Sequence, residues 1–214
     1  MVARQPKTMK PLFLASNSPR RATILSQLGL EFTVLTPFYE EIILDTGSDD
    51  EVVNIAGQNA LQKALSVRSI INHGLIISGD TLVVTDHNEI LGKPKTADEA
   101  FQMLRQLVGK THRVISAVAI VDVVTEKSKT DYVWTKVTFH SLSDKALHQY
   151  LRTGESLGKA GGYAIQGKGR LLVKSIEGSY TAVVGLPIEV VVSLLRHFGI
   201  QLNISSLTNN QGQS

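Results

Sequence analysis

The residue that most invites a chemical reading is a carboxylate inside an apolar run. Asp80 lies within Leu75 to Thr85, whose sequence is LIISGDTLVVT. An unpaired buried carboxylate is costly. Asp80 is therefore either a turn residue or a working group, such as a metal ligand or general base. A second candidate is Ser16-Asn17-Ser18-Pro19-Arg20-Arg21, which joins an apolar run to a helix start. A helix N-terminus offers unpaired backbone N–H groups and a partial positive charge. Two hydroxyls and two guanidiniums beside it make a phosphate cradle, or else Ser18 is only a cap and the arginines are solvated.

Three further segments have the right composition for a polyphosphate site. Gly92-Lys93-Pro94 fixes a cation in a stiff turn, and follows the segment that carries Asp80. Lys159-Ala160-Gly161-Gly162-Tyr163-Ala164-Ile165-Gln166-Gly167 combines small residues, which permit close backbone approach, with Gln166, whose amide can read a base edge. Gly178-Ser179-Tyr180 and Val183-Val184-Gly185-Leu186-Pro187 again place a loop at a helix start. The acidic pair Glu40-Glu41, together with Asp80, is a candidate for a divalent cation, because Mg²⁺ is usually bound by one or two carboxylates plus substrate phosphates. Each of these also has a plain structural reading as a turn or a solvated pair. His112 and His140 read as structural, and the six histidines show no metal-ligand spacing.

These residues need a scaffold, and the pattern supplies an alternation of strands and helices that predicts an α/β fold. Pro11 to Ser16 reads as a buried strand. Pro19 to Leu28 reads as a helix with Ser18 as N-cap and Gly29 as the stop. Glu31 to Thr36 is a second strand, and Asp49 to Arg68 a helix with Val52, Val53, Ala56, Ala60, Lys63 and Ala64 on one face. Leu75 to Thr85 reads as strand, Gly-Asp break, strand, with Gly79 marking a bulge or a close approach. Thr96 to Leu107 reads as a helix opened by a Thr96/Glu99 capping box. Strands at His112 to Val124 and Val133 to Leu142 follow, then helices from Ser143 and over Pro187 to Phe198.

Bulk properties exclude several classes. The chain has 214 residues, 43% hydrophobic, with no cysteine, so neither disulfides nor thiolate metal sites are available. No apolar run approaches the ~20 residues that span a bilayer. The net charge of +3 is spread along the chain, whereas nucleic-acid binding needs a concentrated basic stripe. There is no Gly-x-x-x-x-Gly-Lys-Ser/Thr loop and no Gly-x-Ser-x-Gly elbow. Residues 1–10 read as a disordered leader without a secretory signal, 11–200 as one domain and 201–214 as a flexible tail. A cytoplasmic location is the expectation.

In this order and spacing the segments resemble the Maf family of nucleotide pyrophosphatases, from about Pro11 to about Phe198. The carrying motifs are Leu14-Ala15-Ser16-x-Ser18-Pro19-Arg20-Arg21, Gly79-Asp80-Thr81, Gly92-Lys93-Pro94, Gly109-x-Thr111-His112, Lys159-Ala160-Gly161 through Gln166-Gly167, and Val183-Val184-Gly185-Leu186-Pro187. The resemblance implies a strongly twisted mixed sheet flanked by helices, two lobes with a cleft, related to inosine-triphosphate pyrophosphatase. It implies hydrolysis of a nucleoside triphosphate to monophosphate and pyrophosphate with Mg²⁺ or Mn²⁺, and a homodimer. Asp80, Lys63, Lys93 and Glu41 match the catalytic positions, with Asp80 and Glu41 as metal ligands. Ser16, Ser18, Arg20 and Arg21 match the phosphate-contacting end.

Within the family, one branch resembles dTTP/UTP pyrophosphatases and carries Arg, Thr and Gln at three selective positions, here Arg20, Thr81 and Gln166. The branch acting on 7-methyl-GTP has Trp, Gln and Glu there. Three positions depart from the family pattern: Asn17 stands for a frequent Gly, Ser156 for Pro and Gly158 for Asp. The expected reaction has Asp80, or a metal-bound water it orients, delivering the nucleophile to the α-phosphorus while Lys63, Lys93, Arg20 and Arg21 neutralise phosphate charge. The alternative is a nucleotide-binding regulator of division or septum formation without turnover.

Overall fold

The computed structural model describes residues 10–202; the expectations for a leader and a tail lie mainly outside them. A seven-stranded mixed sheet runs in the order β2-β1-β3-β5-β6-β7, with β4 paired to β3. The strands are β1 (Leu12–Ala15), β2 (Thr33–Leu35), β3 (Leu75–Val84), β4 (Ile90–Leu91), β5 (Thr111–Asp122), β6 (Ser128–Phe139) and β7 (Val173–Glu177). β1 is parallel to both β2 and β3, and every other pairing is antiparallel. Six α-helices flank it: α1 (Pro19–Gln27), α2 (Asp49–Ser66), α3 (Ala97–Leu107), α4 (Asp144–Leu151), α5 (Tyr180–Val184) and α6 (Ile188–His197).

Alternation along β3 separates two cores, because successive strand residues point to opposite faces. Leu75 and Ile77 pack with Ile24 and Leu25 of α1 and with Val191 and Leu194 of α6. On the other face, Val52, Ala56 and Ala60 of α2 cover Ile115, Ala117 and Ala119 of β5. A third cluster joins the far ends of β5 and β6 to α3 and α4 through Leu104, Leu107, Val114, Phe139 and Leu147. The buried residues of α2 fall at Val52, Ile55, Ala56, Asn59, Ala60, Lys63 and Ala64, the i, i+3, i+4 stripe of a helix laid on a sheet. Two members of that stripe, Asn59 and Lys63, are polar.

Three local expectations are corrected. The Gly-Asp break does not exist: β3 pairs with β5 without interruption from Leu75↔Asp122 to Val84↔Arg113. Gly79 marks close approach instead. A Cβ there would lie 3.1 Å from the Ala117 carbonyl oxygen, so the missing side chain relieves crowding against the neighbouring strand β5. The capping box sits at α2, where Ser48 and Glu51 bond reciprocally. At α3, Thr96 caps Glu99 N–H, but the Glu99 carboxylate accepts from Lys95 N–H. Finally, β6 begins at Ser128, and β7, whose mixed VKSIE sequence shows little period, is an additional strand.

Candidate active site

A cavity of about 630 Å³ opens beyond the carboxyl end of β1, the location where α/β sheets commonly hold ligands. One wall is the segment Ser16 to Arg21, the opposite wall is Gly158 to Ala160 with Tyr163, and between them stand Glu41, Lys63, Thr81 and Lys93. The volume lies within the ordinary range for small-ligand sites.

At the α1 end, Ser18 has extended N-cap geometry and Pro19 opens the helix, yet no side chain caps it. Ser18 N–H donates instead to Ser16 Oγ at 3.1 Å. The start of α1 therefore faces the cavity with its N-terminal dipole uncovered, a suitable anion seat. Its two arginines differ. Arg21 Nε donates to the Gly185 carbonyl at 2.7 Å, Nη2 to Thr81 Oγ1 at 3.2 Å and Nη1 to Ser16 Oγ at 3.4 Å. Burial lowers its pKa, partly countered by Asp80 and Glu41. Arg20 is half-buried on the cavity wall. Burial lowers its pKa, and the charge of Arg21 lowers it further.

On the other side a chain of alternating charge runs through the site. Lys63 Nζ is 2.6 Å from Asp80 Oδ1 and 2.6 Å from Glu41 Oε1. Lys93 Nζ binds both oxygens of Glu41, at 2.7 and 2.6 Å. Burial acts to raise the Glu41 pKa, but Lys63 and Lys93 outweigh it and hold the group down at about 2. Glu41 is therefore an anion at any physiological pH. Asp80 is 2% exposed. It faces α2 rather than the cavity, and Lys63 stands between it and the open space. Thr81, the next residue, projects from the other face of β3 and reaches the cavity wall. Strand alternation thus divides Asp80 and Thr81 between two surroundings.

The structure brings Ser16, Ser18, Arg20, Arg21, Glu41, Lys63, Thr81 and Lys93 together on one cavity, with Asp80 directly behind Lys63. Gln166 is exposed at the start of the 3-10 helix Gly167–Leu172 and is not part of that wall. Two residues are added to the sequence reading. Lys159 lines the cavity opposite α1, its pKa lowered by burial and by Arg20; its place in the Lys-Ala-Gly motif was the available signal. Asn59 donates to Asp80 Oδ2 at 3.0 Å, and nothing in the sequence flagged it.

The departures from the family pattern have simple accommodations. Asn17 is not in the left-handed backbone region, so no glycine is required there. Gly158 has φ +67°, a conformation suited to glycine. Ser156 is buried. His112 bonds Tyr163 OH through Nε2 at 2.8 Å and packs against Phe139, which makes it a core residue.

Among the described residues no three His, Asp or Glu side chains converge as a self-sufficient metal site. The acidic donors are Asp80 and Glu41. Their oxygens already accept from Lys63, Lys93 and Asn59, though a carboxylate oxygen keeps a second lone pair. Two carboxylates are the acidic donors that a Mg²⁺ or Mn²⁺ ion takes beside phosphate oxygens; in this structure Lys63 Nζ lies 2.6 Å from both of them.

The chain is 47% identical over 196 residues, 91% of its length, to the whole of a dTTP/UTP pyrophosphatase of Alkaliphilus oremlandii. It is 43% identical over 195 residues to 98% of one from Dictyoglomus turgidum, and 40% identical over 191 residues to 98% of one from Pelotomaculum thermopropionicum. No helix among the described residues is long and apolar enough to cross a membrane. With residues 11–198 matching the family model described as Maf-like protein, the chain belongs to that family.

Proposed function

We propose that this protein is a nucleoside triphosphate pyrophosphatase that hydrolyses dTTP and UTP, and modified pyrimidine nucleotides of the same shape, to the monophosphate and pyrophosphate. The observation that carries the reading is the single cavity in which the Glu41, Lys63 and Lys93 charges face the uncapped start of α1. A triphosphate brings several negative charges, and the wall supplies Lys63, Lys93, Lys159, Arg20 and a helix N-terminus to meet them. Such preorganised charge is the main source of catalysis when a phosphoanhydride breaks.

In this reading, phosphates lie along α1, against Arg20 and the free N–H groups. Arg21 keeps the Thr81 and Gly185 wall in place. Glu41 stays ionised and orients the Lys63 and Lys93 ammoniums toward the leaving pyrophosphate. Asp80 pairs with the Lys63 ammonium and is the group that acts as base on the attacking water. Glu41 and Asp80 would hold the Mg²⁺ or Mn²⁺, which supplies further positive charge to the phosphate oxygens. Thr81 and Gln166 belong to pyrimidine selection, a role that the family resemblance supports. A cytoplasmic location and a homodimer are carried by the family resemblance.

The test is a nucleotide panel with Mg²⁺ or Mn²⁺, followed by release of pyrophosphate. The expected result is turnover fastest with dTTP and UTP. Nucleotide binding without any release would establish the regulator reading instead.

A further inference from the structure

We infer that Asn59 is a positioning residue: it clamps the segment that carries Glu41 onto Asp80 and so sets the spacing of the two carboxylates. Asn59 is 1% exposed, and its amide uses all four of its hydrogen-bonding capacities. Nδ2 donates to Asp80 Oδ2 at 3.0 Å and to the Ile42 carbonyl at 3.0 Å. Oδ1 accepts from Ile42 N–H at 2.9 Å and from Tyr39 OH at 3.2 Å. The backbone immediately after Glu41 and the side chain two residues before it are thus tied to the same amide that holds Asp80.

The chemistry of the four partners specifies asparagine. Two are acceptors and two are donors, so a carboxylate at this position would set its oxygen against Asp80 and the Ile42 carbonyl, and an apolar side chain would leave all four unmatched. Asn59 and Lys63 stand one helical turn apart on α2 and reach the two oxygens of Asp80 separately. Lys63 fixes the charge, and Asn59 fixes the direction of the carboxylate and the height of the Glu41 segment. That segment is mostly exposed, with Phe38 at 73% and Ile43 at 66%, so apolar burial does little to hold it. Its other anchors are the ion pairs of the Glu41 carboxylate with Lys63 and Lys93, the bond from Phe38 N–H to Ser66 Oγ at 3.0 Å and the Thr46↔Glu89 bridge. The ion pairs hold the Glu41 side chain, and the bonds to Asn59 hold the backbone beside it.

The role in turnover rests on the pyrophosphatase reading, and two measurements separate the two. The first is amide hydrogen exchange on the full chain without nucleotide. In Asn59→Ala and Asn59→Asp, exchange rises at Ile42 and its neighbours while β3 stays protected; unchanged exchange there would overturn the clamp, whatever the activity. The second is the steady-state kinetics of pyrophosphate release. Both variants lose roughly 10- to 100-fold in kcat with little change in KM, the usual cost of misplacing a site group. An intact kcat despite raised exchange, or a loss that falls on KM instead, would refute the positioning role. If the unsubstituted protein releases no pyrophosphate, the functional reading falls, while the exchange measurement still decides the clamp.

Discussion

The two sides of the cavity are built on opposite plans. On the side of α2, the charges of Lys63, Glu41 and Asp80 are cross-braced: Lys63 binds two carboxylates, Glu41 binds two ammoniums, and Asp80 is held at both oxygens. On the side of α1 and the Gly158 to Ala160 loop, Arg20 and Lys159 face the space as like charges. Among the described residues Lys159 is tied only by a weak 3.4 Å bond to the Leu157 carbonyl. The braced side has its electrostatics already satisfied and is preorganised before substrate arrives. The open side consists of cations that repel one another until an anion enters. The first suits bond cleavage and the second suits capture. Substitutions on the two sides should therefore separate kcat from KM.

The largest effect is expected on the braced side. Asp80→Asn keeps the shape and the bond to Lys63 but removes the charge that keeps that ammonium in place. The expected loss is on the order of 10²- to 10³-fold in kcat, comparable to removing one preorganised electrostatic group. KM should change much less. Steady-state kinetics on dTTP decides it, and a variant that keeps full kcat would remove Asp80 from the chemistry.

The next effect tests the boundary between the two plans, which runs between adjacent residues. Arg21 is a brace, with three bonds to Gly185, Thr81 and Ser16. Arg20 is the open cation. Arg21→Ala leaves buried acceptors unsatisfied and should cost about 2–4 kcal/mol of stability. Arg20→Ala should leave stability within about 0.5 kcal/mol and raise KM by about tenfold, the worth of one charge-assisted contact. Denaturant unfolding alongside kinetics separates them. Equal behaviour of the two variants would erase the distinction.

That distinction also marks how far the sequence could be read. Ser18-Pro19 announced the start of α1, and an acid in an apolar run announced Asp80, because both signals are local. The segment from Ser16 to Arg21 could be recognised as a phosphate end. Which arginine is tied down could not, since the partners of Arg21 lie 60 and 164 residues away. Gly79-Asp80 looked like a break because glycine in a strand has two meanings, and only the uninterrupted pairing with β5, where a Cβ would crowd the Ala117 carbonyl, chooses between them. Asn59 was invisible for a related reason. An asparagine in a helix is unremarkable by propensity, and its bonds to Tyr39, Ile42 and Asp80 exist only once loop, helix and strand are assembled. Gln166 remains the residue whose sequence reading reaches furthest beyond the cavity wall.

The smallest expected effect concerns pH, and it asks how much of the bracing is already present without substrate. In the folded protein the Glu41 carboxyl is held at about 2, below its ordinary 4.5. A depressed carboxylate contributes stability that is fully present above the ordinary value and is lost as pH falls from about 4.5 toward 2. With 25% of its side chain in solvent, the contribution at neutral pH is on the order of 2 kcal/mol after allowance for screening. Glu41→Gln should be less stable than the unsubstituted protein at pH 7 by about that amount, and the gap should begin to narrow below the ordinary carboxylate value of 4.5 and close only as the pH approaches about 2. Urea unfolding of both proteins across that range measures it. A gap that stays constant through the acid range would mean that Lys63 and Lys93 do not hold Glu41 in the free protein. The bracing would then form only around a bound triphosphate, and the contrast between the two sides would belong to the complex rather than to the fold.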